Sequence, residues 1–446
     1  MPELTSLFGL VARETARRGG GAAELCVVRE RTRRYDSRSG GIDSLSFSDT
    51  LSLGIRVFRD GRMGFSYGFR AGDDEIVRMV EAALFSAASA DPDPANGLPG
   101  GDGGFPELSL HDPECEGVGE REKAEFAVRM ERDALSRDPR MKRVRTATLV
   151  ETVGETAFRN SAGRFGAARE SRYAAWIEAV AEDGAEGQTG YGYGFSRRFS
   201  GLDAGDIAVE AAGKALRMLG PQRLQTGRYA AILENAVAAE LLEVLAPSFL
   251  ASNVVKGRSI LSGKIGNTVA SEIVHICDDP LDPSGSGAAK FDAEGTPCRR
   301  NVLVQGGVLR GFLADSFWGK KLGTGTTASL RRTSPKVPPA VGISNLRISA
   351  GDRTLAEMMR NLGTGVLVTE LLGIHTADPV SGDFSVGAAG IRFDEGEERE
   401  PVRGFAVSGN VLSLLSKVTD AGSDFRWFGN AGAPSLAISC IEVGGE

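Results

Sequence analysis

Histidine is scarce in this chain of 446 residues, which contains only His111, His275 and His375. No two of them stand three or four residues apart, the spacing with which a helix presents two imidazoles to one metal ion. The HExxH motif of zinc proteases is absent, as are GxSxG, Walker A and a GxGxxG motif between the right elements. These absences disfavour an independent zinc protease, a serine hydrolase and a nucleotide-binding enzyme.

Long hydrophobic runs are absent as well. No apolar stretch approaches the roughly 18 residues of a membrane span, and the N-terminus lacks the basic and apolar regions of a signal peptide. We therefore expect a cytoplasmic protein. Five scattered cysteines without a CxxC pair favour reduced thiols. Lys and Arg number 52 against 59 Asp and Glu, and neither sign forms a block, which disfavours nucleic acid or an anionic membrane as a partner.

Glycine, in contrast, is abundant. The chain has 59 glycines, well above the average of roughly 7%, while its hydrophobic content of 41% is ordinary for a globular core. Without a collagen-like period, so many glycines indicate turns, hairpin tips and places where backbones approach closely. A β-rich protein with many tight turns follows.

The N-terminal half contains one pattern twice. Alternating strands around Asp60-Gly61 lead to GRMGFSYGF at Gly61–Phe69, and strands around Asp183-Gly184 lead to GQTGYGYGF at Gly187–Phe195. Helical periodicity stands before and after both copies. We predict an α+β fold in which a duplicated helix, hairpin and helix unit lies on an antiparallel sheet.

Composition divides the chain into four parts. Residues 1–90 form the first α+β unit, and residues 91–106, rich in Pro, Gly and Asp, form a loop or linker. Residues 107–220 form the repeat-like second unit. Residues 221–446 form a Gly-rich, mainly β C-terminal domain, with a helix over 236–250 and a hairpin turning at Gly306-Gly307.

Few side chains suggest chemistry. Strand alternation places His275 and Cys277 on one face, where they could share a metal, but an ordinary strand with satisfied side chains is favoured. Cys440 lies in an apolar strand and is expected to be a buried structural cysteine. Glu234 and Glu243 could act as general bases, although exposed helix glutamates are common.

Two Gly-punctuated segments are candidates for binding a peptide. Gly363, Thr364 and Gly365 form the first, and Ser381, Gly382 and Asp383 form the second. Small residues can leave backbone N–H groups free, so that an extended peptide pairs with the main chain as an added strand. A wide turn between two core strands is the alternative.

Three stretches resemble the TldD/PmbA family, the so-called modulators of DNA gyrase. They are FDAEGT at Phe291–Thr296, GTGVLVTELLG at Gly363–Gly373 and SGDFSVGAAG at Ser381–Gly390. In that family TldD members are metalloproteases and PmbA (TldE) members are their partner subunits. The resemblance adds three residues to the peptide-binding candidates: Glu294, Gly295 and Thr296.

The resemblance also implies that zinc ligands are missing. TldD members carry HExxxH on a helix and a later cysteine. The two histidine positions fall on Glu243 and Ser248, the glutamate position falls on Val244, and the cysteine position falls near Phe428. Valine cannot act as a base and phenylalanine cannot bind a metal. We therefore expect no cofactor in this chain and zinc only in a TldD-type partner.

The resulting expectation is a non-catalytic, PmbA/TldE-like subunit that helps to form a peptide-binding cavity, as a heterodimer with a TldD-type subunit or as a homodimer. Two alternatives remain open. One is a stand-alone hydrolase that uses His275, Cys277 or Cys440, and the other is a homodimeric peptide-binding protein without catalysis. Direct action on gyrase is disfavoured, because neither charge nor motif indicates contact with DNA.

Overall fold

The structure, a computed structural model, describes residues 4–100 and 104–445, so that residues 101–103 of the predicted linker lie outside it. Its α-helices have these bounds: α1 Leu4–Arg17, α2 Asp73–Ser89, α3 Glu120–Leu135, α4 Ala204–Arg217, α5 Asn235–Leu245, α6 Ala251–Val255, α7 Ser316–Leu322, α8 Leu355–Leu362 and α9 Val411–Ser416. Short 3-10 turns have these bounds: Phe199–Gly201, Ala246–Phe249 and Ile374–Thr376.

Strands dominate both halves of the chain. The first six have these bounds: β1 Ala22–Arg38, β2 Gly41–Arg59, β3 Arg62–Gly68, β4 Met141–Asn160, β5 Phe165–Asp183 and β6 Glu186–Ser196. The others have these bounds: β7 Gly227–Leu233, β8 Ile276–Asp278, β9 Asn301–Gln305, β10 Val308–Leu309, β11 Leu330–Arg331, β12 Ala340–Val341, β13 Leu346–Ile348, β14 Gly365–Leu372, β15 Asp383–Asp394, β16 Glu397–Asn410, β17 Val418–Ala421, β18 Arg426–Phe428, β19 Ala431–Ala433 and β20 Leu436–Gly444.

The N-terminal half is one antiparallel sheet in the order β3-β2-β1-β4-β5-β6. Each copy of the repeat is a helix, a three-stranded meander and a second helix, and the copies meet where β1 pairs with β4. The predicted α+β fold with a duplicated N-terminal half is thereby confirmed, with three strands rather than a simple hairpin in each copy. The first copy turns at Asp60-Gly61, where both residues have positive φ (50° and 72°), as a type I′ turn requires.

Glycines in the repeated motif let helices lie close to the sheet. A Cβ on Gly64 in β3 would come within 1.9 Å of the Ala83 oxygen of α2. A Cβ on Gly190 in β6 would come within 2.0 Å of the Ala211 oxygen of α4. Both distances are far below van der Waals contact. The matching glycines therefore have the same structural role in the two copies.

One edge of the N-terminal sheet is only partly covered. β3 pairs with residues 53–59 of β2, so that among the described residues 41–52 keep an unpaired edge. The side chains over residues 42–50 are exposed, and they include Leu45 (52%) and Phe47 (56%). An exposed apolar strand edge can pair with another chain.

The C-terminal half contains a closed barrel. The strand order is β16-β15-β14-β7-β20, and β20 pairs back to β16, with Ala406 opposite Gly444. A second sheet follows the order β10-β9-β8-β13-β19-β18. Its β9–β10 hairpin turns at Gly306 and Gly307, both with positive φ, as the sequence predicted.

Helix α5 lies in the C-terminal core, where its buried residues include Val237, Leu241 and Leu245. It is shorter than predicted. The chain leaves the α-helix at Leu245 instead of residue 250 and continues as the 3-10 turn Ala246–Phe249, because Pro247 has no N–H to extend the helical hydrogen bonds. Among the residues that the structure describes, no helix is long and apolar enough to cross a membrane.

Candidate functional site

The four positions that the sequence predicts to replace zinc-site residues lie on or beside α5. Glu243 is exposed, whereas Val244 is half-buried and packs against the C-terminal core. Ser248 is buried in the 3-10 turn after α5, and its hydroxyl donates to the Pro379 oxygen at 3.4 Å. Phe428 packs against the same core from β18, which contacts α5. Two of the four positions are therefore committed to apolar packing.

Glu240, one turn before Glu243, is a carboxyl that sequence reasoning missed. Burial, reinforced by the charges of Glu243 and Glu370, raises the pKa of Glu240 to about 7. Its Oε2 atom is buried and has no hydrogen-bond partner in the described part of the chain. Glu234, which the sequence did suggest, is instead ion-paired to Arg217 at 2.5 Å. The sequence feature that could have identified Glu240 is its position as an acidic residue inside the apolar run Ala236–Leu242.

A carboxyl that titrates near pH 7 can both accept and donate a proton. The surroundings of Glu240 supply little else for catalysis. Within residues 4–100 and 104–445, no group of three or more His, Cys, Asp or Glu side chains is arranged to hold a metal ion.

The two predicted Gly-rich segments lie apart. Gly365 opens β14 opposite Phe393, whereas the segment from Ser381 to Asp383 precedes the other end of the β14–β15 pair, where Leu372 lies opposite Gly387. β14 also pairs with β7, and β15 also pairs with β16, so both strands have neighbours on each side. An added strand has no free edge there. The two segments therefore lie at opposite ends of the β14–β15 pair.

Backbone donors in these two segments are also used locally. The Gly363 N–H donates to the Met359 oxygen at 2.9 Å, and the Gly382 N–H donates to the Asp378 oxygen at 2.8 Å. Asp383 accepts a side-chain hydrogen bond from Asn410 at 2.8 Å. The Thr364 hydroxyl donates to Asp394. Contact of these residues with a peptide stays a prediction.

Glu294, Gly295 and Thr296 form a buried turn at the junction of the two halves. Arg164, in the turn between β4 and β5, donates from Nη1 to the Gly295 oxygen at 2.8 Å and to the Thr296 hydroxyl at 3.1 Å. A Cβ on Gly295, which has φ +72°, would come within 2.0 Å of the Phe158 ring. This turn therefore docks the C-terminal domain onto the sheet, and its binding of a peptide stays a prediction.

Buried charges surround this turn. Arg56 donates to both carboxylate oxygens of Glu24, at 3.0 and 2.7 Å, and these two side chains are only 7% and 1% exposed. Burial raises the pKa of Glu294 to about 7, against the opposing effect of the Arg56 charge. The N–H and hydroxyl of Ser316 donate to the Glu294 carboxylate at 3.0 and 2.6 Å.

A cavity of about 480 Å³ opens beside the same junction. Strands β1, β4 and β5 line one side, and residues 288–293 and 330–335 of the C-terminal domain line the other. We call this space the interdomain cavity. Its volume is in the range of small-molecule binding sites.

The residues suggested as the catalytic centre of an independent hydrolase do not come together in one site. His275 is exposed and Cys277 is buried, so the prediction that they share one face is wrong, because the pairing of β8 with β9 shifts register between Ile276 and Cys277. Cys440 is half-buried rather than buried, since β20 has a similar irregularity between Ile438 and Ile441. Cys277 and Cys440 also lie in different sheets.

Sequence comparisons place the whole chain in one family. Three family models match it in succession: PmbA/TldA metallopeptidase domain 1 over residues 23–87, the central domain over 113–219 and the C-terminal domain over 226–445. The chain is 27% identical to Metalloprotease PmbA of Escherichia coli O157:H7, covering 95% of this chain and 92% of that protein. It is 30% identical to a metalloprotease of Methanothermobacter thermautotrophicus, covering 90% of this chain and 89% of that protein.

Solved structures share the fold. A protein of Thermotoga maritima MSB8, described as a candidate modulator of a DNA gyrase, superposes with a TM-score of 0.92 at 24% identity, covering 99% of this chain and all of that one. TldE from Thermococcus kodakarensis superposes with a TM-score of 0.90 at 23% identity, covering 98% of this chain and 99% of that one. The residues, the matched domains and the shared fold agree: the chain belongs to the TldD/PmbA family of metallopeptidases.

Proposed function

We propose that this chain is a PmbA/TldE-like subunit of a peptide-cleaving metalloprotease system and is itself non-catalytic. One observation carries the proposal. Val244 and Phe428, at positions where a TldD-type subunit needs a glutamate and a cysteine, pack against the apolar C-terminal core. Neither side chain can activate water or hold zinc.

The zinc and the general base would then come from a TldD-type partner, and this chain would complete a cavity for peptides. The unpaired β2 edge over residues 41–52, with exposed Leu45 and Phe47, supports an assembly because it offers both main-chain groups and apolar surface. Cytoplasmic location is part of the same proposal.

Co-expression with the TldD-type subunit of the same genome tests this function. We expect the two chains to co-purify and an unstructured peptide to be cleaved only by the pair. A substitution of the first histidine in the partner's HExxxH should abolish cleavage. Glu243→Ala and Ser248→Ala in this chain should leave the turnover of the pair within about twofold, because these residues bind no metal in the proposed enzyme.

Metal analysis supplies the control. Zinc should follow the partner and be absent from the lone chain. Cleavage by the lone chain, lost in His275→Ala, would overturn the proposal in favour of a stand-alone hydrolase. Peptide binding without any product, whichever partner is added, would instead identify a binding protein.

A further inference from the structure

Four cationic side chains line the interdomain cavity. Arg172, Lys290, Arg331 and Arg332 line it. Three carboxyl groups also line it, those of Glu30, Glu170 and Asp292. Whether a ligand is attracted depends on which of these charges are already compensated by the protein.

Each of the three carboxyl groups already accepts hydrogen bonds from the protein. Arg172 donates to Glu30 at 3.0 Å, and Arg197 donates to Glu170 at 2.9 Å. Asp292 accepts backbone N–H groups from Glu294 and Thr296, both at 2.9 Å, and one from Leu330 at 3.2 Å. Burial raises the pKa of Asp292, which favours its neutral form. These groups therefore compensate little of the charge on the remaining cations.

Two arginines are left under-satisfied. The shortest ion pair of Arg331 is 4.0 Å to Asp278, and that of Arg332 is 3.8 Å to Glu24, while both side chains are largely buried (15% and 13% exposed). Within residues 4–100 and 104–445, Nε and Nη2 of Arg331 and Nη2 of Arg332 are buried without a hydrogen-bond partner, whereas Nη1 of Arg331 donates to the Cys298 sulfur at 3.9 Å. Buried polar groups in folded proteins almost always have partners, so the protein leaves the charges of these two guanidinium groups incompletely compensated beside the cavity.

Part of the remaining wall is apolar. Val28, Leu110, Phe158 and Phe291 line the cavity, and the two phenylalanine rings are in contact with centroids 5.0 Å apart. An inorganic anion would leave this surface uncovered. A ligand with an apolar body and one anionic group would cover both parts of the wall.

We propose that the interdomain cavity binds an organic carboxylate, with its carboxylate on Arg331 and Arg332 and its apolar body against Phe158 and Phe291. A guanidinium matches a carboxylate in a planar, two-point geometry. The carboxylate could belong to the C-terminus of a peptide or to a free acid. This inference does not depend on the proposed function.

Calorimetric titration of the full chain tests the site with two pairs of probes. The first pair is 3-phenylpropanoate and its amide, and the second is Ala-Ala-Phe with a free or an amidated C-terminus. We expect acids to bind at least 10-fold more tightly than the matched amides, since each charge-assisted hydrogen bond contributes strongly to affinity. Binding of the tripeptide acid alone would identify a peptide C-terminus as the ligand, and binding of both acids would identify a general carboxylate site.

Variants locate the binding. Arg332→Gln should weaken acid binding about 10-fold or more and should still fold, because Glu24 keeps both hydrogen bonds from Arg56. Lys290→Gln, at a half-buried position of the wall, is a second variant and should weaken binding in the same direction. Arg310→Gln is the matched control, since Arg310 is exposed outside the cavity. Equal binding of acids and amides, no binding at all, or binding that both cavity variants leave unchanged would overturn the proposal.

Discussion

Burial changes the acid–base chemistry of Glu294. It is 3% exposed, and burial raises its pKa from the ordinary 4.5 to about 7. Between these two values the folded chain binds a proton at Glu294 that the unfolded chain has released. Stability from this group is therefore present at low pH and is lost as pH rises from about 4.5 to 7.

Replacing Glu294 with glutamine removes this titration. We expect the free energy of unfolding of Glu294→Gln to fall less than that of the parent between pH 5 and pH 8, by on the order of 1 kcal/mol. Urea unfolding at several pH values measures the difference. Glu240, whose pKa is raised to about 7 on α5, adds a slope of the same sign, so that Glu294→Gln removes only part of the pH dependence.

Glu442→Gln is the control for this comparison, because Glu442 lies on the surface in an exposed pair with Arg228. Its pH profile should run parallel to that of the parent. Parallel profiles for Glu294→Gln and the parent would show that Glu294 does not titrate in this range.

At the scale of elements, the close approach of helix to strand depends on missing side chains. Gly64→Ala and Gly190→Ala would each press a methyl group into a helix backbone, at 1.9 and 2.0 Å from a carbonyl oxygen. We expect each to lower the free energy of unfolding by about 1–3 kcal/mol or more, because overpacking forces the helix away from the sheet. Urea titration of the purified variants measures this loss.

Gly213→Ala is the matched control on α4, the helix that packs over Gly190. A Cβ at Gly213 meets nothing within 4 Å, and the residue is exposed. Alanine there should raise stability by up to about 1 kcal/mol, through helix propensity alone. If alanine changed the free energy of unfolding in the same direction at Gly64, Gly190 and Gly213, the packing argument would be contradicted.

At the scale of the molecule, the turn at Gly295 couples the two halves. Alanine there would combine a strained φ of +72° with a contact of 2.0 Å to Phe158 across the junction. We expect Gly295→Ala to weaken docking, so that calorimetric unfolding broadens or separates into two transitions.

Gly266→Ala separates strain from docking. Gly266 has a φ of +83°, and a Cβ added there would meet nothing within 4 Å, so that its replacement adds backbone strain without a clash. Its transition should shift to lower temperature and stay single. A single transition in Gly295→Ala, shifted by the same amount, would argue against a docking role for this turn.

Local features of the fold were predictable from sequence because their causes are local. Asp60-Gly61 and Gly306-Gly307 are turn residues that accept positive φ, and the structure uses both as hairpin turns. The shared glycine spacing of Gly61–Phe69 and Gly187–Phe195 indicated the duplication. Alternation failed at His275 and Cys277, since a register shift depends on the partner strand.

By itself, the sequence determined the α+β class, the repeat and the family, and it predicted which side chains stand at the positions of a zinc site. Only the tertiary structure decided that β20 closes on β16, that residues 363–365 and 381–383 lie apart and that Glu240 is half-buried with a raised pKa. It also placed Arg331 and Arg332 beside a cavity lined by strands of the other half. These features depend on contacts between residues far apart in the chain, whose partners are set by how whole sheets pack and not by local residue preference.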